Sequence, residues 1–226
     1  DAWLDCCKVK NMLDHSIDTG LFEPLIVVFP TFYKEKISRI GKADPASERF
    51  NTQFFQKELA EELIPAVESR FNTYARSVTP AGLKESRKHR AFGGFSMGGC
   101  TTWYALIHNM DVIASFLPLS GDCWAIESLG GGSRTRETAD YIRDAILRSG
   151  YGPGDYKVYA ATGSEDLANT ALTPLIRELQ TREDIFTYSD DFSAGNLHFF
   201  VEEAQKHEYE AVMQYAYNYL PYLFRD

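Results

Sequence analysis

Short, continuous apolar runs recur along the chain at Pro24–Pro30, Arg90–Phe95, Ala114–Leu119, Lys157–Thr162 and Asn196–Val201. Runs of this length without polar alternation predict parallel strands covered on both faces. Between them the period changes. Phe55, Leu59, Leu63, Val67 and Phe71 recur every four residues, the stripe of an amphipathic helix, with Pro65 expected to kink or break it. Residues 101–108 and 136–148 also read as helices. Val212, Tyr215, Ala216, Tyr219, Leu220 and Leu223 form a last stripe near the end of the chain. Strand alternating with helix predicts an α/β fold, a mostly parallel sheet with helices on both faces. Functional residues are then expected at the C-terminal ends of the strands. The stretch Gly121–Asp155 is glycine-rich and reads as an excursion between strands, placed either to cover a pocket or to serve as a surface connection. Its Gly130-Gly131-Gly132 run lacks the spacing of a phosphate-binding loop.

Composition narrows the classes. With 226 residues, 44% of them hydrophobic and 14% aromatic, the chain has material for one packed domain, read here as residues 1–226. Thirty-two acidic against 23 basic residues give a net charge of −9. That balance argues against nucleic acid and anionic membrane surfaces as partners. No apolar run reaches the length of a membrane span. The four cysteines are too few for a disulfide scaffold, and Cys100 and Cys123 lie in apolar surroundings that suit buried small side chains. Five scattered histidines without paired-ligand spacing predict no metal, and nothing in the sequence calls for a cofactor.

The chemistry centres on Gly94-Phe95-Ser96-Met97-Gly98. A strand-like run leads into this G-x-S-x-G pattern and a helix-like run leads out, the setting of a nucleophile elbow. Glycines let strand and helix approach around a strained turn, so that the Ser96 hydroxyl projects above the sheet. The Met97 N–H, at the start of the helix, is placed to donate to an oxyanion. A serine hydroxyl needs a base, usually a histidine oriented by a carboxylate. In this arrangement the chain order is serine, acid, histidine. Beyond the helix that follows Ser96, which carries His108 at its end, the chain has only His198 and His207. His198 falls within a strand, whereas His207 lies in the loop beyond it and is the expected base. The acid is expected after the strand Lys157–Thr162, where Glu165 and Asp166 both stand, Asp166 being favoured. Asp184, Asp190 and Asp191 read as a solvated loop, and His15, His89 and His108 receive no role.

Longer matches join this motif. Gly94–Gly99, Thr101-Thr102-Trp103-Tyr104 and Pro118-Leu119-Ser120-Gly121-Asp122-Cys123-Trp124 resemble the feruloyl esterases of carbohydrate esterase family one. So do Trp3-Leu4-Asp5, Asn11-Met12-Leu13-Asp14, Pro30-Thr31-Phe32-Tyr33, Ala161–Asp166 and Tyr219-Leu220-Pro221-Tyr222. The resemblance runs the length of the chain. It implies an α/β-hydrolase fold, Ser96, Asp166 and His207 as catalytic residues, and no metal or cofactor. The implied substrate is feruloylated or acetylated xylan, and the implied location secreted or periplasmic. Phe32, Tyr33 and Trp124 are candidates to pack on a phenolic acyl group or a sugar ring, core packing being the alternative for each.

Two departures from the family stand out. Its small residues before the catalytic histidine are replaced here by Ala204-Gln205-Lys206. Its His-Gly-Gly-rich oxyanion loop has no counterpart either, so the sheet is expected to lack its first strands and the domain to be incomplete at its N-terminus. Thr31 is then a candidate second oxyanion donor by position. An exposed sheet edge would favour self-association. Other functions compatible with the residues are an acetyl xylan, siderophore or thioester esterase, and a catalytically weak carbohydrate-binding relative.

Overall fold

The structure is a computed structural model that describes residues 2–30 and 45–224. Among these residues the sheet has four parallel strands, β1 (Ala91–Phe95), β2 (Ser115–Leu119), β3 (Lys157–Gly163) and β4 (Leu197–Glu202), in the spatial order of the sequence. Four of the five apolar runs therefore form the strands expected of them, to within a residue at either end. Every residue of β2 is buried, as befits a strand covered on both faces.

Six longer helices flank the sheet: α1 (Val9–Asp18), α2 (Pro45–Glu58), α3 (Met97–His108), α4 (Thr135–Ser149), α5 (Asn169–Leu179) and α6 (Tyr209–Tyr219). Two apolar clusters divide the core. On one face, Phe55 and Leu59 of the α2 stripe join Trp103 and Leu106 of α3, Ile142 and Ile146 of α4, and Leu172, Leu175 and Leu179 of α5. On the other, Val212, Tyr215 and Tyr219 of α6 pack with Leu117, Leu119, Tyr159 and Val9. The strands supply both clusters by alternation, Val158 and Ala160 to the first and Tyr159 and Ala161 to the second. The protein is thus an α/β fold with helices on both faces of a parallel sheet.

The expected break at Pro65 takes a definite form. The helix continues past α2 through one π-turn, Leu59–Leu63, and ends as the short piece Ile64–Glu68. Proline has no N–H to donate and its ring crowds the preceding turn, so the widened turn sits directly before it. Phe71, the last residue of the expected stripe, is exposed beyond the helix end.

The run Pro24–Pro30 corrects the sequence reading, because it forms no strand. It pairs with no strand among the described residues. Leu25, Val27 and Phe29 line a shallow groove with Leu13 and Ile17 of α1. Ile26, Val27 and Val28 are 50, 43 and 42% exposed. An apolar run becomes a strand only when a neighbour takes its backbone hydrogen bonds. Among the described residues no strand covers the outer edge of β1. No helix among these residues is long and apolar enough to cross a membrane.

The four cysteines are free thiols, Cys6 exposed and Cys7, Cys100 and Cys123 buried. Cys100 and Cys123 are the small buried side chains expected of them.

Candidate active site

Ser96 occupies the turn between β1 and α3 with φ 59° and ψ −117°. That conformation costs a non-glycine residue on the order of 1–3 kcal/mol and persists only where its surroundings enforce it. Here the Ser96 N–H donates to Leu119 O at 3.0 Å, and the Ser96 carbonyl accepts from Cys100 N–H at 3.0 Å. Close approach explains two of the glycines. A Cβ on Gly94 would lie 2.5 Å from the Gly98 backbone, and one on Gly99 would lie 2.7 Å from Leu119 O. Gly98 has open space at the same place, so crowding demands the first glycine of the motif and not the second. Met97 is the first residue of α3, and its N–H belongs to the positive end of that helix.

Asp166 follows β3 and is 4% exposed. Its Oδ1 accepts from Ala168 N–H at 2.7 Å and from His207 Nδ1 at 2.8 Å. Burial pushes the Asp166 carboxyl up, but the bonds from His207 and Ala168 outweigh it and hold the group below its ordinary value. On the other side of the imidazole, His207 Nε2 accepts the Ser96 hydroxyl at 2.8 Å. A carboxylate at Nδ1 fixes the proton there and leaves Nε2 bare, the tautomer that can take a proton from serine. The ring also packs on Phe95, with centroids 4.5 Å apart.

The loops that carry acid and base are tied together. Ser164 N–H donates to Glu202 O at 2.8 Å, Glu165 N–H to Gln205 O at 3.0 Å, and Ala204 N–H to Ser164 Oγ at 2.8 Å. Gly163 is needed at this crossing, because a Cβ there would collide with the Gln205 carbonyl. Ala204 stands where the resembling family has a small residue, and it takes a left-handed φ of 58°.

The structure thus brings Ser96, Asp166 and His207 together from three different loops. It leaves the other candidates apart. Glu165 is exposed and faces Lys206 at 3.8 Å. His198 is fully buried in β4, its Nδ1–H donating to Ser189 O at 2.9 Å and its ring stacked on Tyr159. Asp184 pairs with Arg143, and Asp190 and Asp191 bond to Tyr188 and Ser193 within their own loop. Thr31, Phe32 and Tyr33 lie outside the described residues. Trp124 is half-buried just past the β2 end, held by Asp122 and Arg49. Sequence reasoning gave those two holding residues no role: Asp122 stood only as part of the matching stretch Pro118–Trp124, and Arg49 stood in no motif. Among the described residues no three of His, Cys, Asp and Glu converge as metal ligands.

A hydroxyl activated by a carboxylate-oriented imidazole beside a helix N-terminus can attack an acyl carbon. Known proteins agree with that chemistry. The model of the Esterase family matches residues 1–217. Endo-1,4-beta-xylanase Y of Acetivibrio thermocellus is 42% identical over 219 residues, 97% of this chain. The chain spans only 18% of that protein's length. A solved structure of a protein named FAE superposes with a TM-score of 0.85 at 42% identity, over 99% of this chain and 72% of that one. A serine-to-alanine mutant of the feruloyl esterase module from Clostridium thermocellum, complexed with sinapinate, superposes at 0.83 and 43% identity. The match covers 96% of this chain and 70% of the module. The enterobactin esterase of Shigella flexneri, at 15% identity and a TM-score of 0.57, shares the fold.

Proposed function

The chain belongs to the Esterase family, and on that premise we propose that it releases ferulate or related hydroxycinnamates from plant cell-wall xylan through an acyl-enzyme. The observation that carries this reading is the Ser96–His207–Asp166 relay, with both hydrogen bonds at 2.8 Å. It stands in a serine esterase 43% identical to a feruloyl esterase module that was captured with sinapinate.

Each residue receives a role. His207 Nε2 takes the proton as Ser96 Oγ forms its bond to the ester carbonyl carbon. Asp166 holds Nδ1–H and stabilises the imidazolium. The Met97 N–H faces the oxyanion, with Thr31 as the candidate second donor. The C–O bond to the sugar then breaks, and the alcohol leaves with the proton from His207. Water, giving a proton to the same nitrogen, attacks the acyl carbon, and Ser96 Oγ recovers its proton as the free acid departs. Trp124, Phe32 and Tyr33 are assigned to the aromatic acyl group or the sugar. A substrate in plant cell walls lies outside the cell that degrades it, so we place the enzyme as secreted or periplasmic.

The test is release of ferulic acid from methyl ferulate and from feruloylated arabinoxylan. Substituting Ser96→Ala removes the nucleophile and is expected to lower kcat by about 10⁴-fold or more. Turnover of acetylated xylan alone would move the enzyme to acetyl esters. Xylan binding without turnover sensitive to Ser96 would make it a binding protein.

A further inference from the structure

The segment after β2 is fastened more heavily than a connection needs. Asp122 is 2% exposed, and each of its carboxylate oxygens has its own donor. Oδ1 accepts the Trp124 indole N–H at 2.9 Å, and Oδ2 accepts Gly131 N–H at 2.9 Å. Burial pushes this carboxyl above its ordinary value, although both donors pull it down. Gly131 must be glycine for the approach, since a Cβ there would sit 2.9 Å from the Asp122 Cβ and 2.7 Å from Ala171 O.

The backbone is gripped from the opposite side. The Trp124 carbonyl accepts from Tyr104 Oη at 2.8 Å and from Arg49 Nε at 3.0 Å. The same guanidinium reaches Ala125 O at 2.9 Å and Ile126 O at 2.8 Å. Arg49 makes no ion pair among the described residues, so its donors are spent on three successive carbonyls. Tyr104 lies on α3, the helix that Ser96 opens. Gly121, immediately before Asp122, abuts the Ser96 carbonyl and accepts the Trp103 indole N–H at 2.9 Å. The indole and the nucleophile are therefore set against one rigid frame.

We propose that Asp122 and Arg49 are positioning residues that hold Trp124 as a preset aromatic wall and so select aromatic acyl groups over small ones. This rests on the proposed hydroxycinnamate esterase function. The physical reason is preorganisation. An aromatic contact is directional, and a ring fixed at its indole N–H and its carbonyl pays little ordering entropy when the acyl group arrives. An acetyl group offers no ring and gains nothing from the wall.

The experiment compares Asp122→Asn and Arg49→Met with the parent enzyme on methyl ferulate and on p-nitrophenyl acetate. An amide at position 122 has one acceptor for two donors, so either Trp124 or Gly131 loses its partner. Both variants are expected to raise KM for methyl ferulate about two- to tenfold, with kcat and acetate turnover within twofold of the parent. In a Trp124→Phe background, which has no indole N–H, Asp122→Asn is expected to cost nothing further. Equal loss on both esters, or an undiminished cost in the Phe background, would make the fastening purely structural and overturn the proposal. Unchanged KM in both variants would overturn it as well. If the parent itself hydrolyses acetate but not methyl ferulate, the hydroxycinnamate reading falls first and takes the lock with it.

Discussion

Among the residues with left-handed backbone at the site, Ser96 and Ala204 differ in kind. Ser96 adopts its strained φ at the turn where the proposed nucleophile stands clear of both strand and helix. Ala204 adopts φ 58° only because the loop before His207 turns there. A Cβ in that region costs about 1–2 kcal/mol. Glycine would remove that strain but add about 0.4–1 kcal/mol of unfolded-state entropy. Substituting Ala204→Gly should therefore stabilise the fold by about 0.8 kcal/mol, a rise of about 2 °C in Tm by calorimetry, with activity retained. A lowered Tm would show that the Ala204 methyl group makes a contact worth more than the strain. At this scale the sequence was informative where chemistry dictates order. Ser96, Asp166 and His207 were readable from a motif, a strand end and the succession serine, acid, histidine. Asp122 and Arg49 were not. Their partners are one indole and a handful of backbone groups, and backbone groups leave no mark in a sequence.

Among the elements, β4 holds a histidine that the sheet does not want charged. Burial lowers the pKa of His198, and Lys157 adds to the effect against the Ser189 carbonyl and Asp191. His108 at the end of α3 is exposed, yet partial desolvation, then Arg148, lowers it too. The unfolded chain protonates both near pH 6.5, whereas the folded chain resists until lower pH. Below about 6.5 the unfolded state thus binds more protons, and stability falls as pH drops toward the folded values. The slope approaches about 1.4 kcal/mol per pH unit for the buried His198 in that window, with solvent screening reducing the share of His108. Urea midpoints at pH 7.5 and 5.5 would measure it, and His198→Gln should flatten the dependence. A midpoint that rises on acidification would refute this account. The strands themselves were legible because a covered parallel strand is apolar throughout, which is how β1 to β4 announced themselves. The same rule misled at Pro24–Pro30, where the composition is right but no strand among the described residues takes the hydrogen bonds. Helix α5 escaped notice although Leu172, Leu175, Ile176 and Leu179 keep helical spacing, because Pro174 interrupts the pattern and reads as a breaker.

For the molecule as a whole, Ile26, Val27 and Val28 are exposed on a segment that pairs with no strand among the described residues. Such a surface pairs readily with another chain. We expect sedimentation analysis to show association that grows with concentration, and Val27→Lys to reduce it. A monomer at every concentration would remove self-association from consideration. The cross-tied loops that carry Asp166 and His207 have a different consequence. The hydroxyl and the imidazole that meet at 2.8 Å are 111 residues apart in sequence, and the strands between them must all be in register for the meeting to occur. With Ser96 as the proposed nucleophile, its labelling by an organophosphonate is therefore expected to count native molecules one by one. In any preparation of this protein, the fraction labelled is the yield of correctly folded chain.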